Sequence, residues 1–508
     1  MQPDTKKIVI IGGGIAGLCA GVYARKCGCE AEVLEKNDTA GGLAKSWRRG
    51  GYTFETCLHW LLGSDPKGDL YPRWQEVFDI DRLTFVNPEE FARIEAPDGR
   101  CLRVYSNVDR LEAEMLRVAP QDEFAIWQFT EVIRCFGKFR LPDPGEGLAS
   151  NWLTYLYDMP YLPLLRELSK ETSGEYGKRF TERLLRAFFG EGEMAELSVL
   201  ALVFSLVWMN KGDAGYPIGG SQAVIRAIVE RLISLGGRLR LGAQVERIVV
   251  EDDRAVGVDL VGGERIAADW VISGADGHAT IFDLLGGRYI DKATEKVYEE
   301  LVPFPSYLQV SLGVAEALVD QPGFVTLLLD SPLEVDPGTR LWQIPFRIFH
   351  YDPTFAAAGK TAVTCFLPTR NFEYWMHLRR QEPAAYEAEK QRIADAVTKV
   401  LERRIPDLRQ VIEVTDVSTP ATVIRVTGNW KGSMEGWLLT PRTGFGLLPN
   451  TLPGLRNFIM AGQWVMPGGG LPSGLMTARA AMRAVCRHDR LPFLRREEEV
   501  SALPLSLF

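Results

Sequence analysis

"KKIVIIGGGIAGLCAGVYARKCGCEAEVLEK", Lys6 to Lys36, decides the reading of this chain. Ile8 to Ile11 is an unbroken apolar run of the kind that suits a strand buried on both faces of a parallel sheet. Three glycines cannot prolong it, and Ile15 to Arg25 has the composition of a helix. Gly28 is placed to end that helix in the left-handed conformation, and "AEVLE" begins a second strand. The stretch is a strand–turn–helix–strand unit, which predicts an α/β chain built on a Rossmann-type domain.

Gly12-x-Gly14-x-x-Gly17 falls on the turn itself. Gly12 permits the tight bend, Gly14 lets backbone approach a pyrophosphate, and Gly17 lets helix and strand pack closely. Ile15 and Ala16 then open the helix, whose free N–H groups and positive dipole end favour an anion. Glu35 ends the second strand 18 residues after Gly17, where its carboxylate can accept from both ribose hydroxyls and repel a 2′-phosphate. Lys36 follows it. These features in one register point to a dinucleotide. Gly41-Gly42-Leu43 brings a second glycine pair six and seven residues after Glu35, able to reach the same pyrophosphate.

The remainder bounds the possibilities. The chain has 508 residues, 46% hydrophobic and 24% charged, with a net charge of −8. At ~100–200 residues per domain it predicts two or three lobes, and its acidity argues against nucleic acid as a partner. Eight cysteines (Cys19, Cys27, Cys29, Cys57, Cys101, Cys135, Cys365 and Cys486) form no metal-ligand spacing and read as reduced thiols of a cytoplasmic protein. "SVLALVFSLVWM", Ser198 to Met209, has 12 residues, short of the ~20 that span a bilayer. It reads as a buried helix, with a peripheral membrane contact as the alternative. The N-terminus lacks the pattern of a secretory signal.

Three widely spaced blocks then resemble the amine oxidase-like flavoproteins, in the branch of phytoene desaturases, carotenoid isomerases and retinol saturases. They are the opening glycine–acid–glycine-pair sequence, "YPIGGSQAVIRAIVERLISLGG" with the strands that follow it to Asp276, and "FIMAGQWVMPGGGLPSGLMTARAAM" from Phe458. The resemblance implies FAD. It places Val245 at the adenine, Gly274 and Ala275 near the dinucleotide, Gly462 by the pyrophosphate and ribitol, and Gly470, Leu471, Pro472 and Ser473 along the flavin ring. Gln463 departs from the acid that many relatives carry.

The same resemblance runs "GYTFETCLHWLLGS" beneath the flavin, so that Glu55 to Leu61 would line it. His59 is the candidate catalytic residue, as a donor to substrate or flavin; the alternative is a loop-holding hydrogen bond to backbone. Glu55 reads as structural. Trp437, in "TPATVIRVTGNWKGSMEGW", is expected to face the substrate cavity.

The expected organisation is discontinuous. Residues 1–75, 216–290 and 450–490 make the FAD domain, and 76–215 a mainly helical substrate- or membrane-facing part. Residues 291–449 form a substrate-binding sheet with helices, and 491–508 a tail. A last helix is expected from Leu475 to about Cys486. No second strand-flanked glycine motif offers an NAD(P)H site, which leaves quinone or oxygen as acceptor. The resemblance implies an FAD oxidoreductase that desaturates, saturates or isomerises a hydrophobic isoprenoid- or lipid-like substrate. Two alternatives stand beside it: an amine oxidase-like enzyme on a C–N bond, and an FAD-stabilised lipid carrier or assembly subunit using the tail. No metal site is expected.

Overall fold

The first strand, Lys7–Ile11, lies at the centre of a five-stranded, wholly parallel sheet. Its neighbours in order are Arg238–Arg240, Glu30–Leu34, the first strand itself, Trp270–Ser273 and Phe458–Met460. Both faces are covered, which is why Ile8, Val9 and Ile10 are fully buried. The computed structural model describes residues 5–56, 58–140, 148–190, 192–444 and 446–495.

Helix Ile15–Lys26 is buried along its entire length. It lies on the sheet between the amphipathic helix Gly220–Ser234 and the final helix Gly470–Asp489. At Gly474 a side-chain carbon would come within 2.6 Å of Ile15 Cγ2, so the two helix starts meet where only glycine fits. The final helix begins at Gly470, not at the expected Leu475. Pro472 is tolerated in its first turn because that turn's N–H groups have no intrahelical acceptors.

A buried polar knot fastens this corner. Arg479, 4% exposed, pairs with Glu76 at 2.7 Å; the Tyr23 hydroxyl donates to the same carboxylate at 2.8 Å, and Arg73 adds a further contact at 2.9 Å. Burial would raise the Glu76 pKa, but Arg479, Tyr23 and Arg73 together hold it below the usual value. Arg479→Met should therefore cost about 2–3 kcal/mol, because it removes the shortest ion pair of a half-buried carboxylate that keeps Tyr23 and Arg73. Urea denaturation of the holo-protein at pH 7 checks this; a loss under about 1 kcal/mol would mean that the knot contributes little. Since Glu76's pKa is depressed, its contribution is present above the unfolded carboxylate value and is lost as pH falls through the folded one.

The second large layer is a seven-stranded sheet ordered Ile412–Ser418, Ser306–Val314, Thr361–Thr369, Thr339–Ile348, Phe324–Asp336, Glu90–Glu95 and Cys101–Tyr105. It is antiparallel except where Val325 pairs in parallel register with Arg93. Two of its strands thus come from the segment expected to be mainly helical. That segment does supply helices, among them Val108–Val118, Glu123–Phe136 and Val199–Asn210, which share a phenylalanine-rich core. Val199–Asn210 is the expected buried helix, and no helix of the described residues is long and apolar enough to cross a membrane. The seven described cysteines are free thiols. Cys57 and the tail beyond Arg495 lie outside the described residues.

Candidate functional site: a dinucleotide cleft with a protonated acid

The carboxyl ends of the parallel strands open onto a cleft of about 540 Å³. The tight turn is held by Gly12 N–H donating to Leu34 O at 2.8 Å, with Gly12 at φ 94°. Gly17 does not line the cleft. Its lack of a side chain is what lets helix and strand meet, since a carbon there would sit 1.9 Å from the Gly12 carbonyl oxygen. The second glycine pair folds over the first: Gly41 N–H donates to Gly13 O at 2.8 Å, and Gly14 and Gly41 form a bridge.

Of the residues expected at the cofactor, Gly12, Gly14, Ile15, Ala16, Glu35, Lys36, Gly41, Gly42 and Leu43 line this cleft. So do Val245, Gly274, Ala275, Gly462, Gly470, Leu471 and Ser473, together with Gln463. Pro472 does not. The cleft suits an anionic dinucleotide on its own terms. Helix Ile15–Lys26 has no side-chain cap and no acid in its first turn, so its N–H groups are free for a pyrophosphate.

Glu35 is more committed than its position in sequence suggests. Oε2 accepts from Gly13 N–H at 2.8 Å, and Oε1 accepts from Asn37 N–H at 2.9 Å and Asn37 Nδ2 at 2.6 Å. With roughly four acceptor directions on a carboxylate, one remains for a ribose hydroxyl while Asn37 keeps this rotamer. Lys36 Nζ turns away to donate to Arg425 O at 3.3 Å.

The stretch expected beneath the flavin behaves differently. None of the described residues from Glu55 to Leu61 lines the cleft. Glu55 accepts from Ser221 N–H at 2.9 Å and Ser221 Oγ at 2.6 Å, and its carbonyl accepts from Gln309 Nε2, which is a structural role. His59 lines a separate cavity, with Nε2 buried and unpartnered. Burial, helped by the charge of Arg347, holds its pKa well below the ordinary 6.5. Trp437 is fully buried and stands edge-on to Trp464, with centroids 5.0 Å apart, in a cluster with Tyr298 and Trp430. It faces this cluster and not the cavity, while Trp464 itself reaches the cleft. The pair is perpendicular, not two parallel walls flanking a flavin.

The other histidines stay apart from the cleft chemistry. His278 stacks on Trp430 at 4.9 Å and on Phe282 at 4.4 Å, His377 pairs with Glu382, and His488 pairs with Asp489. No group of metal-ligating side chains occurs among the described residues.

Sequence reasoning missed two acids in the cleft wall. Asp276 is driven up to about 6 by burial, against donation from Ala279 and Trp430 N–H at 2.8 Å each. Those two bonds make it a brace for the turn after Ser273. Glu435 is the chemically interesting one. It stands at the mouth of the final helix, where burial pushes it up to about 8 against an opposing backbone N–H from Gly470. Its neighbour Gly469 has no room for a side chain, which would fall 2.7 Å from Glu435 Cβ. Its side chain is half-buried in the cleft wall, and no described residue forms an ion pair with it, which favours the protonated form. The one sequence signal was an acid lodged between Met434 and Gly436 in an otherwise uncharged run.

Comparison with known proteins agrees with this geometry. The sequence profile of the flavin-containing amine oxidoreductases matches residues 15–486. The chain is 25% identical over 512 residues to the chloroplastic prolycopene isomerase of Daucus carota, covering 96% of this chain and 81% of that one. It is 24% identical over 514 residues to the lycopene-forming phytoene desaturase of a Paracoccus species, covering 95% and 98%. Among solved structures, an oxidoreductase from Methanosarcina mazei superposes with a TM-score of 0.60 at 16% identity, covering 94% and 99%. Cyclohexylamine oxidase from Brevibacterium oxydans superposes at 0.58 and 15%, covering 95% and 100%. The last two show a shared fold.

Proposed function

The chain belongs to the flavin-containing amine oxidoreductase family and is an FAD-dependent oxidoreductase, and from that premise we propose that it desaturates, saturates or isomerises carbon–carbon bonds of an elongated apolar polyene. The observation that carries this reading is the match, over nearly the whole length of this chain, to proteins named for isomerising prolycopene and desaturating phytoene.

FAD, when bound, supplies the two-electron chemistry that no side chain can. The glycine turns at Gly12–Gly14 and Gly41–Gly42 would hold its pyrophosphate, Glu35 a ribose hydroxyl, and Val245 the adenine. The start of the final helix at Gly470 would present its positive end to the ring system, which favours negative charge there. Glu435, protonated beside that helix start, is positioned to give a proton from its carboxyl and to take it back as a C–H bond is made or broken. The rings of Trp430, Trp437 and Trp464 pack together beside the cleft, and Trp464 forms part of its wall.

Quinone or oxygen is proposed as the electron acceptor. A peripheral membrane contact is supported by apolar side chains exposed along 152–162, among them Trp152, Leu153, Leu156 and Met159. Anaerobic mixing distinguishes the C–N alternative. The flavin absorbance of the holoenzyme should persist with putrescine or cyclohexylamine; bleaching by either amine would overturn the polyene reading.

A further inference from the structure

A second cavity of about 330 Å³ shares no wall residue with the dinucleotide cleft. Its walls are largely aromatic and aliphatic, with Trp60, Phe91, Met209 and Phe324 among them. Set into these walls are nitrogen atoms that no described residue satisfies. Nε and Nη2 of Arg347, Nε2 of His59 and Nε2 of His350 are all buried without a hydrogen-bond partner.

Arg347 is the important one. It is 5% exposed, rises from strand Thr339–Ile348, and lies 4.5 Å over the Phe324 ring. Its polar partner among the described residues is the Tyr351 hydroxyl, which burial keeps protonated. The nearby acids are engaged elsewhere. Glu90, also in the cavity wall, is gripped by Arg93 at 2.6 and 2.8 Å. Asp352 accepts from Gly219 N–H at 2.7 Å, Tyr216 and Thr354, and Glu55 is held by Ser221. Burial lowers the guanidinium's pKa, yet from so high a starting value the group stays charged. A buried, unpaired cation is strongly unfavourable in a folded protein, and orphaned buried donors are rare outside functional sites.

We propose that this cavity receives the carboxylate of an apolar acid, with Arg347 donating from its two free nitrogens and the hydrocarbon lying against the aromatic walls. One fixed cation balances one negative charge, and the planar fork of a guanidinium matches a carboxylate. A phosphate dianion would leave a charge unmatched here, because His59 is held neutral. His59 and His350 can each add an Nε2–H donor in the appropriate tautomer. Packed rings join the wall of this cavity to the wall of a groove beside the cleft: His59 lies 5.8 Å from Phe366, which lies 5.2 Å from Tyr307. Tyr307 lines a groove of about 590 Å³ that shares Gly42 and Leu43 with the dinucleotide cleft. The substrate assigned by this inference, which rests on the polyene reading, is therefore a polyene ending in a carboxylic acid.

The test is equilibrium binding of all-trans-retinoic acid and of its methyl ester to the holoenzyme. The acid should bind at least about tenfold more tightly than the ester, as expected for one charge-assisted, two-bond contact. Arg347→Met should erase that preference, Arg347→Lys should retain part of it, and the ligand-free Met variant should melt no lower than wild type. Equal binding of acid and ester, or a preference that survives in Arg347→Met, would overturn the inference. So would acetate displacing the acid at comparable concentration, since the apolar walls would then count for nothing. If the Met variant does not fold, the acid-to-ester ratio in wild type and Arg347→Lys decides. Arg347-dependent binding of an acid that the enzyme alters in neither mass nor retention time would support this site and count against the polyene reading instead.

Discussion

Purified Gly14→Val should be colourless. Gly14 has φ −77° and ψ −177°, a conformation valine accepts, and a carbon built on it has 3.9 Å of clearance to Gly41 and Gly42. The fold should therefore survive, while the side chain fills the cradle between the two glycine turns. A loss of FAD affinity of at least about 100-fold is expected, roughly 2.7 kcal/mol. Fluorescence titration of the apoprotein with FAD measures it, and a melt of the apo form shows that folding is intact. Gly17→Val is no substitute for this test, because its clash at 1.9 Å with the Gly12 carbonyl would destroy the turn itself. A Gly14→Val protein that purifies fully yellow would refute the placement of the pyrophosphate.

Glu435→Gln should lower turnover about 100-fold on whichever polyene the wild type converts, the usual scale for a lost proton-transfer group. It also has a signature independent of activity. The folded pKa, about 8, lies above the ordinary carboxylate value of 4.5. The acid's contribution to stability is therefore fully present below pH 4.5 and is lost as pH rises through about 8. Glutamine does not titrate. Between pH 5 and 9, the melting temperature of FAD-free wild type should decline relative to that of the variant. The charged groups on neighbouring segments, Lys431 on the same loop and Asp276 across the cleft, are common to both proteins and cancel in the difference. A difference that stays flat with pH would show that Glu435 is ionised throughout.

The dinucleotide half of this molecule was legible because its signals are local. Strand, glycine turn, helix and acid fall within Lys6–Lys36, and the structure joins them in that register. The large sheet was harder to see. Its parallel pairing of Val325 with Arg93 joins positions more than two hundred residues apart, and no property of either segment announces the other. The final helix starts early and packs its Gly474 against Ile15, a contact between opposite ends of the chain. His59 was expected at the flavin from the family resemblance of its stretch, but here its ring turns toward Arg347 and Phe366. Glu435 could not be singled out because burial, not residue type, gives it a proton.

The central claim is that this FAD enzyme acts on conjugated carbon–carbon bonds, and product mass tests it most directly. The holoenzyme would be incubated with a panel of polyenes, with and without reductant, and the products weighed by mass spectrometry after chromatography. The account predicts a loss of two hydrogens, a gain of two, or an unchanged mass at a shifted retention time. Each identifies one member of the proposed set: desaturase, saturase or isomerase. Polyenes recovered unaltered under every condition, while an amine bleaches the flavin, would contradict it.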